Sequence, residues 1–265
     1  MATQTLDRYS VSSLPIELFR DKIKLADATC FFTTRNTNQF LVTNWHVFSG
    51  RNSHTGQSIN KNGAVPNRAS IPIHKKNMLG SWAPSVEFRL TDALDNPLWL
   101  QHSRGQEIDL ACLKIDSLPD GLIAYDVISE NNADDMIVSV STEVFIVGFP
   151  TGMPRQEILP IWKRGSIASE PDLDFDGLPY VLVDTATREG MSGSPVYART
   201  RGGYAASNGV YKMGGGTNTK FVGIYSGRHG SSEEISVQLG RVWKSAALEE
   251  MLSNPVQGNY EIISI

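Results

Sequence analysis

Cysteine is scarce in this sequence. The two among 265 residues, Cys30 and Cys112, each sit in an apolar run, "DATCFF" and "DLACLKI". That placement predicts buried, reduced thiols, with a single Cys30–Cys112 bridge as the only disulfide alternative. A chain of this length buries a sufficient core without staples. Long apolar runs are missing too. No stretch reaches about 18 residues, so no transmembrane helix is expected. The opening "MATQTLDRYSVSSLPIEL" has no basic start followed by an apolar segment, which argues against a secretory signal and for a cytoplasmic protein. Charge of one sign is nowhere concentrated. Lys and Arg number 24, Asp and Glu 28, for a net charge of −4, with both signs scattered, so neither a nucleic-acid nor a membrane partner is expected. His46, His54, His74, His102 and His229 show no metal-ligand spacing, and Cys-x-x-Cys is absent, so no metal is expected. Gly214–Gly216 is not followed by the Lys-Ser/Thr of a phosphate loop, and no cofactor is expected.

What is present is a succession of short β-type runs separated by Gly, Pro and Asn. They include 28–34, 39–44, 70–75, 85–91, 97–102, 109–115, 143–149, 158–169, 180–185, 194–199, 220–227 and 234–240. Several alternate apolar and polar residues, as half-buried strands do, and their number predicts an all-β sandwich or barrel. The stretches 50–69 and 207–219 read as polar loops. The acidic, turn-rich stretch 116–141 reads as a link between two β halves. One segment breaks the pattern. "LGRVWKSAALEEML" (239–252) spaces Leu239, Val242, Trp243 and Ala246 near 3.6 residues, which predicts a C-terminal helix.

The stretch "REGMSGSPV" (188–196) holds two serines in a glycine-rich turn. A serine hydroxyl becomes a useful nucleophile only beside a base, a group orienting that base, and donors for an oxyanion. Candidates for these parts exist. "FLVTNWHVFSG" (40–50) ends an apolar run and then offers His46. "GQEIDLACLKI" (105–115) places Asp109 at the mouth of another run. A residue just past a strand end is held rigidly at a cleft, and an Asp there can accept the imidazole N–H. The order His46, Asp109, Ser192 excludes the α/β-hydrolase arrangement, because no acid lies between Ser192 and His229. The subtilisin order needs an acid before His46, and Asp7, Glu17, Asp21 and Asp27 sit in no recognisable motif.

These three segments resemble the motifs of the chymotrypsin-like (trypsin-fold) serine peptidases. "VTNWHV" is similar to the family's Ala-Ala-His box, "DLACLKI" to its Asp-Ile-Ala-Leu-Leu, and "GMSGSP" to its Gly-Asp-Ser-Gly-Gly-Pro; "FIVGFP" and "FVGIYSG" match two further family strands. The resemblance covers about residues 25 to 250 and is nearest the bacterial intracellular or HtrA-like branch. It implies two six-stranded antiparallel β-barrels with the active site in the cleft between them, plus the C-terminal helix. The expected divisions are a lead-in (1–13), an N-terminal barrel (14–120), a C-terminal barrel (121–238), the helix (239–252) and a tail (253–265). It implies Ser192, not Ser194, as nucleophile, His46 as base, Asp109 as orienting acid, and the N–H groups of Gly190 and Ser192 as the oxyanion hole. The substrate would be a protein or peptide.

Where the family's digestive members carry an Asp that pairs with a new N-terminus after zymogen cleavage, this chain has Met191. Activation of that kind is not expected, and a loop that moves when a partner or substrate binds is the alternative. Where trypsin carries its pocket-base Asp, this chain has Ala186, so cleavage after Lys or Arg is not expected. Thr187, Tyr225, Ser226, Gly227 and Arg228 would complete the pocket wall. Arg228 reads either as a solvated strand-end charge or as a charge at the pocket mouth that favours acidic side chains, and a small or medium apolar side chain is the favoured occupant. The reading from another class is a silent peptidase fold acting as a protein-binding module. Silent relatives usually lose a triad member, and this chain keeps all three candidates.

Overall fold

A computed structural model describes residues 6–129, 131–152, 159–186, 188–229 and 238–260. The chain is mostly β, as expected, and forms two large antiparallel sheets. The first has eight strands in the order Val256–Gln257, Leu100–Gln101, Ala111–Ile115, Asn38–Thr43, Ile23–Arg35, Ser13–Arg20, Arg68–Ile71 and Val86–Arg89. Its two edges do not pair with each other among the described residues, so it is a curled open sheet where a closed six-stranded barrel was expected. The second does close. Six strands, Glu143–Gly148, Ile161–Ile167, Tyr180–Asp184, Leu239–Lys244, Tyr211–Arg228 and Pro195–Ala205, form a ring in that order.

Three sequence expectations need correction. Residues 239–244 are strand, not helix. Leu239–Lys244 pairs with Tyr180–Asp184 on one side and Tyr211–Arg228 on the other, and the helix starts only at Ser245 and runs to Ser253. The ladder on both sides outweighs the helical periodicity. The stretch 207–219 is mostly a strand of a long hairpin, with Ala205 opposite Tyr211 and Arg201 opposite Thr217. Within the lead-in, a short element forms where none was expected. Arg8–Ser12 is a short helix whose Tyr9 N–H is capped by the Asp7 carboxylate at 3.0 Å, with Tyr9 and Val11 buried. Trp162 Nε1 donates to Ser10 Oγ at 2.9 Å, which ties this segment to the second sheet. The expected tail also contributes, because Val256–Gln257 adds a strand to the first sheet.

One core cluster lies inside each sheet and a third lies between them. The shared cluster joins Phe31, Val42 and Cys112 of the first sheet to Val147, Tyr197, Phe221 and Trp243 of the second, with Leu248 and Met251 of the helix. Each such side chain contributes roughly 1.5–3 kcal/mol by leaving water, so the seam between the sheets is itself a core. Cys30 and Cys112 are free and buried. Burial pushes the Cys112 thiol up to about 12 and Cys30 well above its ordinary value, so neither is reactive at neutral pH. No helix among the described residues is long and apolar enough to cross a membrane.

His74 is fully buried, its Nε2 bonded to the Val11 carbonyl at 2.7 Å. Burial lowers it from 6.5 to about 4. Between those values the unfolded chain binds a proton that the folded chain refuses. Stability is therefore complete above pH 6.5 and falls as pH drops toward 4, by about 3 kcal/mol at about 1.4 kcal/mol per unit. Urea denaturation of wild type and His74→Phe at pH 7 and pH 4.5 checks this. The stability gap between the two pH values should shrink in the variant, and an unchanged gap would remove His74 from the account.

Candidate active site

The site is built where strand ends of the first sheet meet turns of the second. Asn38–Thr43 ends at Asn44, and a five-residue helix, Trp45–Ser49, begins at once. His46 therefore sits in the first turn of a rigid element, one side half-exposed. Asp109 lies just before Ala111–Ile115, after the short Gly105–Glu107 turn, and is 1% exposed.

The two are locked together twice. Asp109 Oδ1 accepts the backbone N–H of His46 at 2.8 Å, and Oδ2 lies 2.7 Å from His46 Nδ1. Asn44 Nδ2 donates to the Asp109 carbonyl at 2.8 Å. Ser226 Oγ donates to Asp109 Oδ2 at 2.6 Å. A buried carboxylate that receives three donors is fixed in direction. It holds the His46 proton on Nδ1, which leaves Nε2 as the face able to take a proton.

Ser192 lies in a turn and is half-exposed, whereas Ser194 is completely buried. A Cβ added at Gly148 would overlap Ser194 Oγ, so the second serine faces the interior of the barrel. No hydrogen bond joins Ser192 Oγ to His46 among the described residues; such bonds are often loose before substrate arrives. Shared neighbours bring the two segments together. Gly193, at φ 83°, donates its N–H to the Tyr225 carbonyl at 2.9 Å, and Tyr225 precedes Ser226, the donor to Asp109. Gly193 also packs against Thr43, three residues before His46.

The turn is fastened to the first sheet by a single residue that the sequence did not single out. Thr29 N–H donates to the Ser192 carbonyl at 2.9 Å, and its hydroxyl donates to the Gly190 carbonyl at 2.9 Å while accepting from Phe149 N–H at 3.0 Å. On the other side, the Glu189 carbonyl accepts from Thr151 N–H at 2.8 Å. In a trans peptide the next N–H points the opposite way, so the Gly190 N–H faces away from Thr151. Gly190 has φ 88°, and a Cβ there would lie 2.5 Å from the Phe149 carbonyl and 2.7 Å from Thr151 N. Only glycine fits. Met191 is fully buried in the core of the second sheet, so an apolar side chain fills the position where the family resemblance had led one to look for a charge.

The expected pocket residues divide. Ser226 and Gly227 are half-buried, Arg228 and Ala186 are exposed, and Thr187 lies outside the described residues. Tyr225 is 1% exposed, and its ring covers Gly240, so it offers the site its backbone and not its phenol.

A family model described as a trypsin-like peptidase domain matches residues 28–203. The chain belongs to that family. It is a serine peptidase by family, and its substrates are proteins or peptides. This peptidase resembles solved structures as well. The Rv3671c protease from M. tuberculosis, in its active form, is 16% identical, with 95% of this chain and 84% of that chain covered at a TM-score of 0.46. The serine endoprotease from Yersinia pestis is 14% identical, with 94% of this chain and 67% of that chain covered at a TM-score of 0.48. No curated protein matches this peptidase. Among its described residues, no group of three or more His, Cys, Asp or Glu is arranged to hold a metal ion.

Proposed function

We propose that this peptidase hydrolyses peptide bonds by acyl transfer through Ser192, His46 and Asp109, at the seam between an N-terminal half (14–120) and a C-terminal half (121–238). Ser192 Oγ attacks the peptide carbonyl as His46 Nε2 takes its proton. Asp109 holds the imidazole and stabilises the imidazolium. The N–H groups of Gly190 and Ser192 receive the developing oxyanion. His46 then returns its proton to the leaving amine, and water hydrolyses the acyl enzyme.

The observation that carries this reading is the doubly bonded His46–Asp109 pair, further fixed by Ser226, beside a turn that exposes Ser192 and buries Ser194. A silent fold used only for binding has no need to keep a buried carboxylate aligned on an imidazole. Ala186 brings no carboxylate to the pocket, so cleavage after Lys or Arg is not expected. With Met191 buried in the core, the turn is held by Thr29 and Thr151 rather than by a liberated N-terminus, and no zymogen step is required.

Labelling by a fluorophosphonate probe, read by intact mass, tests the assignment. One adduct is expected on the wild type and on Ser194→Ala, and none on Ser192→Ala. An adduct that survives Ser192→Ala would place the nucleophile elsewhere. An unlabelled wild type would favour the binding module.

A further inference from the structure

A cavity of about 400 Å³ is lined by Ser53, His54, Arg104, Gln106, Glu107, Leu178 and Arg241, and its His54 lies within electrostatic reach of both Asp109 and His46. Its walls come from the segments that build the proposed active site. Gln106 and Glu107 belong to the turn leading into Asp109, and His54 lies eight residues after His46. Arg241 faces them from Leu239–Lys244.

Arg241 is a buried cation, 7% exposed, without a carboxylate partner among the described residues. Its Nη1 donates to His54 Nε2 at 2.7 Å, and Nη2 lies 3.5 Å from His229 Nδ1. Its Nε is buried without a hydrogen-bond partner. The guanidinium stacks over the rings of Tyr180 at 4.6 Å and Trp243 at 5.9 Å, which stabilises the cation but does not neutralise it. Both histidines stay neutral, since burial and then Arg241 lower them from their ordinary value. The carboxylate of Glu107 is engaged elsewhere, accepting from Arg104 Nε at 2.8 Å. A buried charge without a counter-ion is costly. Among the described residues the cavity thus presents a cation that no carboxylate pairs, with N–H donors in a planar fork that suits a carboxylate.

We propose that Arg241, supported by His54, forms a subsite that binds an acidic side chain of the substrate, Glu or Asp, at a fixed position near the scissile bond. This rests on the peptidase reading and narrows it to peptides carrying a carboxylate within a few residues of the cleaved bond. An extended peptide advances about 3.3 Å per residue, so a peptide held at Ser192 has side chains within reach of the neighbouring cavity. The role is separate from that of Ala186 and the 225–228 segment.

Two measurements with the full chain separate this from the parent reading. A randomised octapeptide library is digested with wild type, and cleavage products are read by mass spectrometry. Glu and Asp should be enriched at least tenfold over Gln and Asn at one position, and Arg241→Met should bring that ratio close to one. Arg241→Lys, which keeps the charge but loses the fork, should retain an intermediate ratio and serves if the Met variant does not fold. The same library is also passed over immobilised Ser192→Ala protein, where retention of acidic peptides reads the subsite without turnover. Absent enrichment in both formats, or enrichment unchanged by Arg241→Met, overturns the subsite even where fluorophosphonate labelling succeeds. Acidic retention with an unlabelled wild type would sustain the subsite and remove the peptidase reading.

Discussion

Asp109→Asn is expected to lower kcat on a peptide substrate by on the order of 10⁴ while leaving the fold intact. The size follows from which atom must change. Asp109 Oδ1 accepts a backbone N–H from His46, and that bond keeps the carboxamide oxygen on the same side in the variant. The new NH₂ then faces His46 Nδ1 and Ser226 Oγ, where two donors now sit. Nδ1 must become an acceptor, and its proton moves to Nε2, the nitrogen required as base. Steady-state kinetics and a thermal melt together check this. A loss below tenfold, with the melt unchanged, would mean that Asp109 is a structural cap and not an orienting acid.

The second large effect is on stability. Gly193→Ala is expected to cost on the order of 3–5 kcal/mol, from a positive φ that alanine disfavours and from overpacking against rigid neighbours. The added Cβ would overlap the Thr29 carbonyl oxygen and the Thr43 hydroxyl, and these two groups already bond to each other at 2.8 Å. Neither can retreat, because Thr29 is mid-strand and also holds the Ser192 carbonyl. Urea denaturation gives the value directly. A cost under 1 kcal/mol would show that the two sheets separate easily at this point, against the packing described here.

The parts legible in the sequence were those fixed by local chemistry. His46 and Asp109 stood out because each follows or precedes an apolar strand. The glycine-rich turn at 188–196 stood out as well, but it was the family resemblance that separated Ser192 from Ser194 within it. The structure does bring the segments holding all three to one seam. What could not be read was pairing between distant strands. Leu239–Lys244 looks helical in isolation and becomes a strand through its two neighbours. Arg241 was thereby hidden as a cavity residue, since its outlook depends on that strand. The polar, Gly-rich strand from Tyr211 gives no alternation to reveal its register. Ser13–Arg20 was missed for a different reason. Its proline and mixed burial disguise a strand that pairs with Ile23–Arg35 along its whole length. Thr29 carried no signal at all, because its importance lies in what crosses the seam.

That crossing sets when the enzyme can exist at all. The turn bearing Ser192 is made by the later half of the chain, yet its carbonyls at positions 190 and 192 are held by one threonine of the earlier half. His46 and Asp109 come from the earlier half as well, while Ser226, which steadies Asp109, comes from the later one. Neither half can assemble the working arrangement by itself. A chain whose halves have come apart holds every proposed reacting group and lacks their alignment. On the proposed assignment, hydrolytic competence therefore requires the two halves to be docked, which confines the reaction to assembled molecules.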